Sequence, residues 1–215
     1  MSESVASLDN ALVVRGGFPL LSGVTLEIAQ GTMSVVTGAN GVGKTTLLRL
    51  LGGLVALSGG TGRVCGVDLA SENRRALRRR VGWLGHDGPF YDDLSVRENL
   101  TFAAKAMGRP VEEIGAVLAR AGIEGREKVL VRALSAGQRR RVGIAWLLLR
   151  RPELWLLDEP YAALDVAGRD FLDELFHEVL AAGATVAVSA HEHLRSLPAG
   201  TRTLHMVGGR IETVS

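Results

Sequence analysis

Near the start of the chain stands Gly38-Ala39-Asn40-Gly41-Val42-Gly43-Lys44-Thr45, and what flanks this string is as telling as the string itself. Before it, residues 33–37 (Met-Ser-Val-Val-Thr) form a short β-branched run that reads as a strand. After it, Leu47, Leu48, Leu50 and Leu51 mark the apolar side of a helix. A chain that passes from strand to helix through three glycines lets several backbone N–H groups converge on one point, where the helix N-terminus adds positive potential. That is a seat for phosphates. In it Lys44 reaches the β- and γ-phosphates of a nucleotide, and the Thr45 hydroxyl ligates Mg²⁺. Asn40, Gly41, Gly43 and Thr46 complete the expected contacts to ATP.

The remaining pattern places this unit in an α/β fold. Residues 24–28, 63–67, 81–84, 154–157 and 185–189 read as strands, with a last pair at 203–207 and 210–214. A basic helix is expected around residues 73–79. From Ser95 to Gly122 the pattern is helical, opened by the capping box Ser95-x-x-Glu98. Further helices are expected over 136–149, stopped by Arg151-Pro152, and over 166–182. Strands alternate with helices at both ends and a helical block lies between. The expectation is one domain over 1–215, a mixed-sheet core with a helical subdomain at about 87–150.

Composition removes several classes. With 215 residues, 47% of them hydrophobic, the chain can bury a sizeable core. A formal charge of +2 is too small an asymmetry to indicate a nucleic-acid partner. Arginine runs at Arg74-Arg75, at 78–80 and at 139–141 read as solvated helix faces. Cys65 stands alone, so no disulfide framework forms within the chain and a reducing compartment fits. It reads as a small apolar residue in or near a strand. The N-terminus carries no signal-peptide pattern. The longest charge-free stretch, between Glu27 and Lys44, is interrupted by Gly, Thr and Asn, so the chain is not expected to cross a membrane.

A second chemical centre follows. Residues 154–157 are wholly apolar and end in Asp158-Glu159. Carboxylates at the C-terminal edge of a parallel strand lie where ligands bind. Asp158 is suited to hold Mg²⁺ through water, and Glu159 to take a proton from the attacking water.

Just upstream, Leu134-Ser135-Ala136-Gly137-Gln138 resembles the signature motif of ABC ATPases. Ser135 is placed to cap the following helix, and Gly137 to let a phosphate approach the backbone. Ala163-Leu164-Asp165 looks like that family's D-loop, and His191 like its switch histidine. The resemblance implies a P-loop NTPase of ABC type and a head-to-tail homodimer. Two ATP molecules are then sandwiched between one subunit's Lys44 loop and the other's segment 135–138. It also implies a membrane-spanning transporter subunit as partner, at the cytoplasmic side of the inner membrane.

Two positions depart from the wider family. His86 stands where the family has Gln, and imidazole is a poorer match for Mg²⁺ than an amide oxygen. The aromatic residue on which adenine stacks is also displaced: Phe18 is the nearby aromatic, with Arg15 nearer the usual place. His86 and the Ser-Ala-Gly-Gln signature resemble the haem-exporter ATPases of cytochrome c biogenesis, the CcmA family. That resemblance implies ATP hydrolysis coupled to haem export. Two other readings stay open here: the same engine on another small exporter, or a non-transport ABC ATPase.

Overall fold

The computed structural model describes residues 4–86, 88–190 and 197–214. Two sheets enclose the first helix. The strands β1 (Ser4–Arg15), β2 (Phe18–Ala29), β4 (Gly59–Val64) and β5 (Val67–Asp68) form an antiparallel sheet in the order β2-β1-β4-β5. The second sheet runs β10-β9-β3-β8-β7-β6, from β3 (Met33–Thr37), β6 (Val81–Leu84), β7 (Leu154–Leu157), β8 (Thr185–Ser189), β9 (Arg202–Val207) and β10 (Arg210–Val214). All its neighbours are parallel except the edge pair β10·β9, so the sheet is mixed as expected.

The parallel strands are buried on both faces, and their period of two divides the core. Leu154 and Leu156 of β7 join Leu47, Leu48, Leu50 and Leu51 of α1 (Lys44–Leu51) between the two sheets. Trp155 and Leu157 face the other way, onto Leu172, Leu175 and Phe176 of α6 (Val166–Ala181). Fully burying one such side chain stabilises the fold by about 1.5–3 kcal/mol.

A third apolar cluster joins α3 (Val96–Met107), α4 (Glu113–Arg120) and α5 (Ala136–Arg150). The helix α5 belongs to two clusters. Val142, Ala145 and Leu149 face α3 and α4, while Ile144 and Leu147 face the sheet. Gly143 permits that close seat, because a Cβ there would lie 2.5 Å from Leu84 of β6. The Ser95 capping box is formed, with Glu98 accepting from the Ser95 N–H. No helix among the described residues is long and apolar enough to cross a membrane.

Three readings need correction. Residues 63–67 are not one strand: the chain reverses at Cys65 and Gly66, both at positive φ, and Val64 pairs with Val67 across a two-residue hairpin. Cys65 is therefore a buried turn residue. The basic segment around 73–79 begins as a 3-10 turn (Glu72–Ala76) and becomes α-helical only over α2 (Leu77–Arg80). The run at 139–141 is no solvated face. Arg140 is buried, Arg139 reaches Asp92 at 2.7 Å, and Arg141 reaches Asp165 at 3.1 Å.

Candidate functional site

The glycine loop leaves β3 and enters α1 under tight confinement. Gly38 and Gly43 sit at φ 137° and 109°, beyond ordinary reach of residues with a Cβ. A Cβ on Gly38 would meet the Met206 carbonyl at 2.4 Å, and one on Gly43 the Leu20 carbonyl at 2.7 Å. The Gly209 N–H donates to the Val42 carbonyl at 3.1 Å, so the turn before β10 braces the loop from outside. Inside, Lys44 Nζ donates to the carbonyls of Gly38 at 2.8 Å and Ala39 at 3.0 Å. Lys44 is 6% exposed, and its ammonium is held by the loop carbonyls. Asn40 and Gly41 form the exposed tip, and Thr46 is half-buried in the first turn of α1.

Thr45 and Asp158 meet at 2.8 Å, Thr45 Oγ1 donating to Asp158 Oδ2. This joins the start of α1 to the end of β7. The other carboxylate oxygen, Oδ1, accepts from Ser189 Oγ at 2.6 Å, and Ser189 Oγ in turn accepts from the Glu159 N–H at 2.9 Å. Asp158 is buried and Glu159 half-buried. A hydroxyl and a carboxylate oxygen side by side are hard ligands suited to Mg²⁺, which takes few protein ligands and completes its shell with phosphate and water. No cluster of three or more His, Cys, Asp or Glu fit for a metal occurs among the described residues.

Ser189 was not singled out from the sequence. The available signal was a hydroxyl at the C-terminal end of the apolar run 186–188. Arg140 was likewise missed. It shares the inward stripe of α5 with Gly143, Ile144 and Leu147, a spacing that marks it as buried. Its guanidinium donates to the Gly85 carbonyl at 3.1 Å and the Glu159 carbonyl at 3.2 Å. Burial pulls its pKa down, and the Asp158 and Glu159 carboxylates push the other way.

His86 is exposed at the end of β6. A cavity of about 290 Å³ runs from it past Arg139 and Arg140 to Ala162 and Ala163. Ser135 caps α5, accepting from the Gln138 N–H at 3.2 Å, while Gln138 Oε1 accepts from the Ser135 N–H at 3.0 Å. Gly137 has a second role here: a Cβ would stand 2.8 Å from the Ala163 carbonyl. Asp165 caps α6, accepting from the Gly168 N–H at 2.9 Å. That bond, with Arg141 alongside, holds its carboxyl below the usual range. No hydrogen bond among the described residues joins the Ser135 turn to the Lys44 loop. His191 lies outside the described residues.

A groove of about 360 Å³ opens between α3 and α5, starting at Gly88 and lined by Phe90, Tyr91, Phe102, Trp146 and Arg150. Tyr91 and Phe102 meet edge to face and are 57% and 59% exposed.

This phosphate loop, capped glycine turn and carboxylate strand, in this order along the chain and around a mixed sheet, define an ATP-hydrolysing cassette of the ABC class. Residues 21–162 match the ABC transporter family model. The cytochrome c biogenesis ATP-binding export protein CcmA of Pseudomonas fluorescens (strain Pf0-1) is 40% identical over 189 residues, 87% of this chain and 89% of that one. CcmA of Methylococcus capsulatus (strain Bath) is 38% identical over 90% of this chain and 94% of its own. The chain belongs to the CcmA family of ABC transporter ATP-binding proteins. Among solved structures, an ATP-binding subunit of an ABC transporter superposes with a TM-score of 0.88 at 25% identity, covering 98% of this chain and 89% of that one. A dimeric ATP-binding cassette in a post-hydrolysis state with ADP and Pi gives 0.85 at 23% identity, covering 98% and 97%.

Proposed function

We propose that the chain is the energising subunit of a haem exporter for cytochrome c biogenesis, acting as a head-to-tail homodimer at the cytoplasmic side of the inner membrane. The observation that carries the ATPase part is the Thr45–Asp158 hydrogen bond at 2.8 Å, with Glu159 next in the chain and Lys44 one residue before Thr45. It gathers the phosphate-binding and carboxylate halves of one site.

In this reading the Lys44 ammonium turns from the loop carbonyls toward the β- and γ-phosphates. Thr45 Oγ1 and Asp158 would hold Mg²⁺, which would supply positive charge to offset the charge developing on the phosphates. Glu159 accepts a proton from water attacking the γ-phosphate. The partner subunit's Ser135, Gly137 and Gln138 close over the same phosphates, where the N-terminus of α5 favours negative charge. Asp165 is assigned to the subunit junction and His86 and His191 to the catalytic side of the nucleotide by the family resemblance, His191 lying outside the described residues.

Closure and reopening then pass to a membrane-spanning subunit. Its seat is the aromatic groove of Phe90, Tyr91 and Phe102, which begins two residues after His86 and so is covalently continuous with the site. The occupant is a cytoplasmic segment of that subunit with apolar side chains to cover Tyr91 and Phe102.

The experiment is Glu159→Gln. Turnover should fall by roughly 10² or more, since a positioned base contributes about 10²–10⁴. ATP binding should persist, and the protein should elute as a dimer with ATP. Recovery of a multi-spanning subunit from membranes with the wild-type chain, lost on Tyr91→Glu, tests the docking half. Wild-type hydrolysis by Glu159→Gln would remove the base.

A further inference from the structure

Glu159 carries its carboxylate on a backbone at φ 48°, a left-handed conformation that non-glycine residues rarely occupy. Such a conformation persists only where its surroundings fix it. Its N–H is fixed by Ser189 at 2.9 Å. Its carbonyl accepts from the Ala162 N–H at 3.1 Å and from Arg140 Nη2 at 3.2 Å. The other terminal nitrogen of the same guanidinium donates to the carbonyl of Gly85, the residue before His86. Arg140 is 6% exposed and lies one turn into α5 from the Ser135 cap.

We infer that Arg140 is a positioning residue: one buried guanidinium, carried on the signature helix, sets the backbone of both Glu159 and the His86 loop. A planar fork of donors suits this task, because two carbonyls on different segments are bonded at once from one rigid group. Taking that charge out of water is costly, and two neutral carbonyls offset the cost only in part, so the arrangement is an expensive way to fill space. The helix whose N-terminus faces the partner subunit's nucleotide thereby holds the catalytic backbone of its own subunit. A shift of α5 on closure moves Glu159 and the His86 loop together.

The inference rests on Glu159 being the base. Arg140→Met should lower kcat by about 10²-fold, the scale of loss when a reacting group is displaced by about 1 Å. The Kd for a non-hydrolysable ATP analogue should stay within about twofold, because no phosphate contact is touched. Arg140→Lys, with a single ammonium that reaches one carbonyl and not both, should fall between. That variant carries the test where Arg140→Met fails to fold, and wild-type kcat in it would then overturn the inference. In a Glu159→Gln background, Arg140→Met should cost clearly less than it costs in the wild type, since the part of its effect that acts through Glu159 is already gone. Unchanged kcat in Arg140→Met overturns the inference, as do losses that multiply in the double variant. Wild-type hydrolysis by Glu159→Gln alone overturns the base instead, and the kcat order of Arg, Lys and Met at position 140 then still decides whether Arg140 positions the His86 loop.

Discussion

Ser189 Oγ donates to Asp158 Oδ1 at 2.6 Å and, from the same oxygen, accepts the Glu159 N–H at 2.9 Å. One hydroxyl at the end of β8 therefore orients the two consecutive carboxylate-bearing residues that follow β7. Ser189→Ala leaves the Glu159 N–H without that acceptor in a partly buried place, a loss of about 1–3 kcal/mol for such a group. The expected outcome is a clear fall in kcat with ATP affinity little changed, read by steady-state ATPase assays and by nucleotide titration. Wild-type kcat would show that Ser189 only fills space.

Phe18 faces Arg15 across the Gly16-Gly17 turn of the β1–β2 hairpin, and Phe18 is 74% exposed. Two residues on, the Leu20 carbonyl packs on Gly43, so the hairpin tip stands at the phosphate loop. An exposed ring there is a surface for adenine. Phe18→Ala should weaken ATP binding by about 0.5–1.5 kcal/mol, the usual worth of aromatic stacking. The kcat at saturating ATP should hold. Weakened binding in Arg15→Ala but not in Phe18→Ala would move the stacking role to Arg15.

The Ser95 capping box predicts a pH-dependent stability. The Ser95 hydroxyl, then its N–H, hold the Glu98 carboxyl below its ordinary range. A depressed carboxyl pKa stabilises the fold above the unfolded value and ceases to do so as pH falls through the folded one. Ser95→Ala should cost about 1 kcal/mol at neutral pH. Glu98→Ala should melt below wild type at neutral pH, with the gap closing below about pH 4. Parallel melts at both pH values check this; a gap that widens on acidification contradicts it.

The strands legible in the sequence were those whose local pattern and tertiary role agree. β3, β6, β7 and β8 are short apolar runs because both their faces are covered. β1 escaped because Asp9 and Asn10 interrupt its alternation, with Asn10 at φ 48° and register shifts on either side. The hairpin at Cys65-Gly66 was hidden because Val64 and Val67 read as one run until the chain reverses. For the site, contiguous strings were legible: 38–45, 135–138 and 158–159 need only local geometry. Ser189 and Arg140 were not, since their partners lie on other strands and on loops distant in sequence. Arg140 in particular was read with its neighbours as surface, when its place on the Gly143–Leu147 stripe of α5 turns it inward.

The central claim is that each ATP site is shared between two copies of the chain, the Lys44 loop from one and the Ser135 turn from the other. Mixing purified Lys44→Ala and Ser135→Arg subunits tests it most directly. In a heterodimer with shared sites, both lesions fall in one site and the second site is intact. Each variant alone should be nearly inactive, and the mixture should recover roughly a quarter of wild-type turnover once subunits exchange at random, since half the dimers are mixed and each has one working site. If verified heterodimers stay as inactive as either parent, the site is completed within one chain and the shared-site account is wrong.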